Sequence, residues 1–180
     1  MAKKVLIIST SLRAGSNSEI LARECEKGAR EAGNEVEFIS LKGKEIKYCI
    51  GCLSCTETGT CVLKDDVPEI MAKVKEAETI VFATPVYYYE MSGQMKTLLD
   101  RLNPLYDSDY KFKNIYMIAT AAEEGAATFD KAYNGLLGWV DCFERATLSG
   151  IVTGGGINER KEAAAHQDVM QKAYAFGKGL

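Results

Sequence analysis

At 180 residues the chain fits one domain, and with 47% hydrophobic residues it can bury a sizeable core. A net charge of −3 excludes the basic face that sequence-independent nucleic-acid binding needs, and it supplies no polybasic membrane signal. The apolar run behind Lys3 and Lys4 is too short for a signal-peptide core or a bilayer span, so the sequence predicts a cytoplasmic protein with no membrane partner.

Residues 4–9, KVLIIS, form a continuous apolar run, as expected of a strand buried on both faces. Residues 18–33 follow as a helix, with Ile20, Leu21, Cys25, Gly28, Ala29 and Ala32 on one face and Gly33 suited to the C-terminal cap. A second strand is predicted at 35–41, then a cysteine-rich segment near 47–63, then a helix over 65–77 with acids at its start. Strands at 79–85, 113–121 and 148–155 alternate with helices at 92–102, 128–145 and 158–176. Alternation of this kind predicts a parallel sheet with helices on both faces. Such sheets take ligands at the carboxyl ends of their strands, which directs attention to the loops after strands one, three and four.

The first of these loops, STSLRAGSNS, carries a run of hydroxyls, Arg13 and Asn17 where a helix begins. A phosphate at a helix N-terminus needs N–H and O–H donors and the positive end of the dipole, and this loop offers all three. It lacks G-x-G-x-x-G and Gly-Lys-Ser/Thr, and strand two ends without an acid for an adenosine ribose, so it suits the terminal phosphate of a mononucleotide. A helix cap and turn would also use such residues, but one cap needs one hydroxyl. In the loop after strand three, Pro85 stiffens the turn, Tyr87, Tyr88 and Tyr89 form an aromatic run, and Gly93 allows close backbone approach. Such a surface suits a flat conjugated ring, although any single tyrosine could equally pack into the core or an interface.

Together these stretches resemble a known family. STSLRAGSNSEIL is similar to the phosphate loop of the NADPH-dependent FMN reductases, in the flavodoxin-like superfamily. TPVYYYEMSGQMKTLLDR is similar to the flavin-ring loop and following helix of that family, and CIGCLSCTETGTCVLKDD resembles the cysteine segment of its iron–sulfur flavoprotein branch. The resemblance is strongest over residues 3–102. It implies an α/β, flavodoxin-like three-layer sandwich with a five-stranded parallel sheet in the order 2-1-3-4-5, spanning 1–180 as a single domain. It further implies bound FMN and a homodimer or homotetramer. The matched phosphate-loop positions are Ser11, Arg13, Ser16, Asn17 and Ser18. The matched ring-loop positions are Pro85, Val86, Tyr87, Tyr88 and Gly93, with Thr120 and Ala121 in the loop after strand four, where the family closes over the ring. Leu12 departs from the proline many relatives carry there.

Four of the six cysteines, Cys49, Cys52, Cys55 and Cys61, fall in thirteen residues with the spacing C-x2-C-x2-C-x5-C. Three thiols at three-residue intervals can wrap one corner of a cuboidal cluster and a fourth can close it, which favours a 4Fe-4S cluster. Structural zinc normally separates two C-x2-C pairs by a longer stretch, and disulfides are disfavoured in a reducing compartment. Cys25 and Cys142 are expected to be ordinary buried residues, and the single His166 a surface residue that excludes a multi-histidine site. The function expected is electron transfer from NAD(P)H or a reduced ferredoxin-like carrier through FMN. The acceptor would be a quinone, flavin or electron-transfer protein, and no side chain would serve as general base. A non-catalytic flavodoxin-like carrier and a cysteine-based redox or metal sensor remain the alternatives.

Overall fold

The computed structural model describes residues 2–180. Five parallel strands run in the order β2-β1-β3-β5-β6: β1 (Lys4–Ser9), β2 (Glu35–Ser40), β3 (Thr79–Tyr87), β5 (Asn114–Thr120) and β6 (Thr147–Gly154). In terms of parallel strands this is the 2-1-3-4-5 order that the sequence implies. A sixth strand, β4 (Glu90–Met91), is a two-residue addition that pairs antiparallel with the end of β3.

Period-two alternation within the strands assigns side chains to two helical layers. Val5, Ile7, Val81, Ala83, Ile118 and Val152 pack under α1 (Asn17–Glu31) and the C-terminal helix α6 (Gln167–Lys178). Leu6, Ile8, Ile80, Phe82, Ile115 and Met117 pack under α3 (Val67–Glu76), α4 (Gly93–Arg101) and α5 (Asp130–Val140). One further helix, α2 (Ser54–Thr58), is a single short piece inside the cysteine segment.

The helices α1 and α6 meet at two glycines. A Cβ on Gly28 would lie 2.1 Å from the Tyr174 carbonyl oxygen, and one on Gly177 would lie 2.0 Å from that of Cys25. Both obstacles are backbone, which cannot swing away as a side chain can. Gly28→Ala is therefore expected to destabilise the fold by about 2 kcal/mol or more, against the propensity gain that alanine normally brings to a helix. Urea unfolding of the variant measures this directly.

Two predicted helices are shorter than the sequence suggests. The 128–145 stretch is helical only over α5, after a 3-10 turn at Ala126–Phe129. The 158–176 stretch opens with a turn because the Glu162 carboxylate accepts from the backbone N–H of both Asn158 and Glu159, at 2.7 Å each. No helix among the described residues is long and apolar enough to cross a membrane.

Candidate functional site

Ser11, Arg13, Ser16, Asn17, Pro85, Val86, Tyr87, Tyr88, Thr120 and Ala121 all line one cleft of about 290 Å³ at the carboxyl edge of the sheet. Parallel register explains the convergence: β1, β3 and β5 are neighbours, so the loops leaving them share one edge. A buried hydroxyl net stitches two of these loops together. Thr10 Oγ1 donates to the Ala83 carbonyl at 2.9 Å and lies 3.1 Å from Ser92 Oγ; Ser92 N–H donates to Thr84 Oγ1 at 3.0 Å.

The phosphate-loop residues divide by role. The N-terminus of α1 has no side-chain cap, and the hydroxyls of Ser11, Ser16 and Ser18 are buried beside it. Ser16 Oγ and Ser18 Oγ are hydrogen-bonded to each other at 3.0 Å. Ser9 Oγ, at the end of β1, is buried with no partner. An uncapped helix start ringed by hydroxyls suits an anion. Arg13 and Asn17 line the cleft and also bond to the backbone of a further loop. The Arg13 guanidinium donates to the Asn158 and Glu159 carbonyls at 3.1–3.2 Å. Asn17 Nδ2 donates to the Glu159 carbonyl at 2.8 Å while its Oδ1 accepts from Ala163 N–H at 3.1 Å. Both side chains thus fasten this loop to the one after β6, which contributes Ile157 and Asn158 to the cleft. Sequence reasoning passed over that loop, although its place after the last parallel strand puts it on the same edge.

The tyrosine loop is a hairpin tip. Tyr88 and Tyr89 have φ of 52° and 67°, the paired positive values of a tight two-residue turn between β3 and β4. Tyrosine is strained there, and such strain concentrates at functional sites. Tyr88 is 98% exposed at the cleft mouth. The Tyr89 hydroxyl donates to both Glu123 carboxylate oxygens at 2.9 and 3.0 Å, which ties the hairpin to the loop after β5. That bond, with the charge of Glu123, raises the Tyr89 pKa. Gly93 lies outside the cleft, in a neighbouring hollow with Leu12 and Tyr48, and Ser18 sits one layer behind the cleft wall.

Cys49, Cys52, Cys55 and Cys61 line a second, larger cavity of about 460 Å³, with Leu99, Trp139 and Phe143 as its apolar floor. Cys142, expected to be buried, is exposed and joins the same cavity, because α5 stops at Val140 and turns there. Cys25 is the ordinary buried thiol: desolvation, then Glu26, pushes its pKa up to about 12. Hydrogen bonds from the Ser54 backbone and side chain hold the Cys52 thiol below its usual value. Among the described residues no three His, Cys, Asp or Glu side chains lie close enough to hold one metal ion. A 4Fe-4S cluster would take one thiolate from each of four cysteines, and all four cysteines of the segment line this one cavity.

The segment is closed at its base by a fully buried ion pair. Arg101, at the end of α4, grips Asp65 through Nη1–Oδ2 at 2.6 Å and Nη2–Oδ1 at 3.1 Å, and Nη1 also donates to the Lys47 carbonyl at 2.8 Å. Asp65 accepts in turn from Lys47 N–H and Val67 N–H. The sequence reading gave Asp65 to a helix dipole; it is the buckle of the loop instead.

The comparisons with known proteins agree with this geometry. The NADPH-dependent FMN reductase family model matches residues 3–167. The chain belongs to that family. An iron–sulfur flavoprotein of Methanocaldococcus jannaschii is 48% identical over 102 residues, which is 57% of this chain and 53% of that protein. An iron–sulfur flavoprotein of Methanosarcina thermophila is 33% identical over 111 residues, 62% of this chain and 58% of that protein. These relatives put the chain on the iron–sulfur flavoprotein branch of the family, and it spans about half their length in the matches. Among solved structures, an NAD(P)H:quinone oxidoreductase from Methanothermobacter marburgensis superposes with a TM-score of 0.79 at 14% identity, covering 99% of this chain and 96% of that one. An azoreductase from Bacillus anthracis gives 0.75 at 18% identity, covering 99% and 100%. At those identities the likeness is one of fold, and the fold is flavodoxin-like.

Proposed function

We propose that the chain is a single-domain FMN-dependent oxidoreductase that passes electrons from NAD(P)H or a reduced ferredoxin-like carrier to a quinone, flavin or electron-transfer protein. The observation that carries this reading is the cleft: an uncapped helix start ringed by buried serines at one end, and Pro85–Tyr88 at the other. FMN supplies hydride acceptance and one- or two-electron transfer when bound. The chain supplies placement. Ser11 and Ser16, with the N-terminus of α1, hold the phosphate, and Ser18 supports Ser16 from behind; Arg13 and Asn17 line the same cleft and hold the loop that holds the phosphate. Pro85, Val86, Tyr87 and Tyr88 form the wall for the ring, and Thr120 and Ala121 close the opposite side. The hairpin tip at Tyr88 leaves one side of the cleft open to a second planar ring. The same reading makes the protein cytoplasmic and a homodimer or homotetramer, with the exposed Tyr87 and Tyr88 available for contact between copies.

In this reading Cys49, Cys52, Cys55 and Cys61 hold a 4Fe-4S cluster. The support is the four-thiol cavity and the names of the relatives. Anaerobic reconstitution with iron and sulfide is expected to load about four irons per wild-type chain and clearly fewer in Cys49→Ser. Equal loading would remove the cluster.

The test of the activity is anaerobic mixing with NADPH or NADH while flavin absorbance is followed. Bleaching in proportion to the nicotinamide added is expected. An FMN-loaded protein that neither nicotinamide nor a reduced ferredoxin bleaches would overturn this reading, and one that ferredoxin alone bleaches would make the ferredoxin-like carrier the donor.

A further inference from the structure

The turn that follows α4 reaches the cysteine cavity. Asn103, in the 3-10 turn that follows the helix, donates from Nδ2 to Cys55 Sγ at 3.1 Å. Arg101, two residues earlier, has its side chain completely buried, and its Nε–H is, among the described residues, one of two buried side-chain polar groups with no hydrogen-bond partner. Its other donors are spent on Asp65 and Lys47. Burial pulls the guanidinium pKa down, but Asp65 and then the adjacent Cys61 outweigh it and raise the value.

We propose that Asn103 is a positioning residue of the four-cysteine site, supplying an N–H donor to the Cys55 sulfur and thereby setting the reduction potential of the cluster, while the Arg101–Asp65 clamp fixes the loop that carries the thiols. The inference rests on the cluster reading above. A cluster held by four thiolates is a net anion, and its reduced state is more negative still. Donors and cations at the sulfurs therefore favour the reduced state and raise the potential. The clamp also fixes geometry. Residues 45–47 are laid against 64–66 by Glu45 N–H to Asp66 Oδ2 at 2.7 Å and Lys47 N–H to Asp65 Oδ2 at 2.8 Å. The thiols are thus carried on a loop whose two ends Arg101 holds together.

The test is a redox titration followed by electron paramagnetic resonance on anaerobically reconstituted protein. Wild type is compared with Asn103→Ala, Asn103→Asp and Arg101→Lys, with iron content, FMN fluorescence and melting as controls. Asn103 is exposed, so its variants fold. Both Asn103 variants are expected to move the midpoint to a more negative value, Asn103→Asp further than Asn103→Ala because it places a carboxylate against the sulfur, whereas Arg101→Lys is expected to lower melting by loosening the clamp. A purely structural Asn103 would alter melting and leave the midpoint alone. Wild-type midpoints in Asn103→Ala and Asn103→Asp at full iron content would overturn the proposal, whether or not Arg101→Lys folds. A wild-type chain that takes up no iron would overturn it too, and that failure, visible before any variant is compared, belongs to the cluster reading.

Discussion

Ser16→Asp is expected to lower FMN affinity on the order of 30-fold or more while leaving riboflavin binding unchanged. Ser16 is the N-cap of α1, and its hydroxyl makes no cap bond there. Aspartate is as good an N-cap as serine, so the fold does not suffer. Its carboxylate, however, occupies the place the phosphate is assigned. Two unit charges about 4 Å apart at an effective dielectric near 20 repel by about 4 kcal/mol. With half of that lost to solvent and salt, about 2 kcal/mol remains, which is the stated loss. Riboflavin lacks the phosphate and serves as the control. Fluorescence titration of both flavins measures the difference. Equal losses for FMN and riboflavin would move the phosphate away from this helix start.

Arg101→Ala is expected to destabilise the chain by about 3–5 kcal/mol, since it leaves the Asp65 carboxylate buried without its cation. The loop between 48 and 63 loses its base and should become the first site of limited proteolysis. Removing both charges, with Arg101→Met and Asp65→Asn together, should cost less than Arg101→Ala alone, because no charge is then stranded. The pair also sets an acid limit. Burial tends to raise the Asp65 pKa, but hydrogen bonds from Arg101, Lys47 and Val67 hold it below the ordinary carboxylate value. A lowered folded pKa means that the Asp65 contribution is complete above the ordinary value and is lost as pH falls through the folded one. Melting temperature in wild type should therefore fall below pH 4 more steeply than in the double variant.

The sheet was legible because its signals are long and local. Apolar runs such as KVLIIS and TIVFATP are buried on both faces, and the helices between them carry a single apolar face. β4 was not legible: it is two residues long, and its turn uses Tyr88-Tyr89 where asparagine and glycine would announce a positive φ. The broken start of the last helix escaped because the capping acid, Glu162, lies inside the apparent helical period. At the site, the residues that line the cleft were legible from strand–loop–helix order, whereas the division of labour among them was not. Arg13 and Asn17 read as ligand donors, and nothing in the sequence signals that they also bond to backbone groups some 145 positions away. Asp65 likewise read as one of the acids at a helix start, and only the tertiary fold makes it half of a buried pair with Arg101.

The central claim is that FMN sits in the cleft between the loops after β1, β3 and β5, and the most direct test is a crystal structure of the chain with FMN bound. The phosphate is predicted at the N-terminus of α1, within hydrogen-bond reach of Ser11 or Ser16, with the ring against Pro85–Tyr88. A flavin found instead in the larger cavity beside Cys49 and Trp139 would contradict the account.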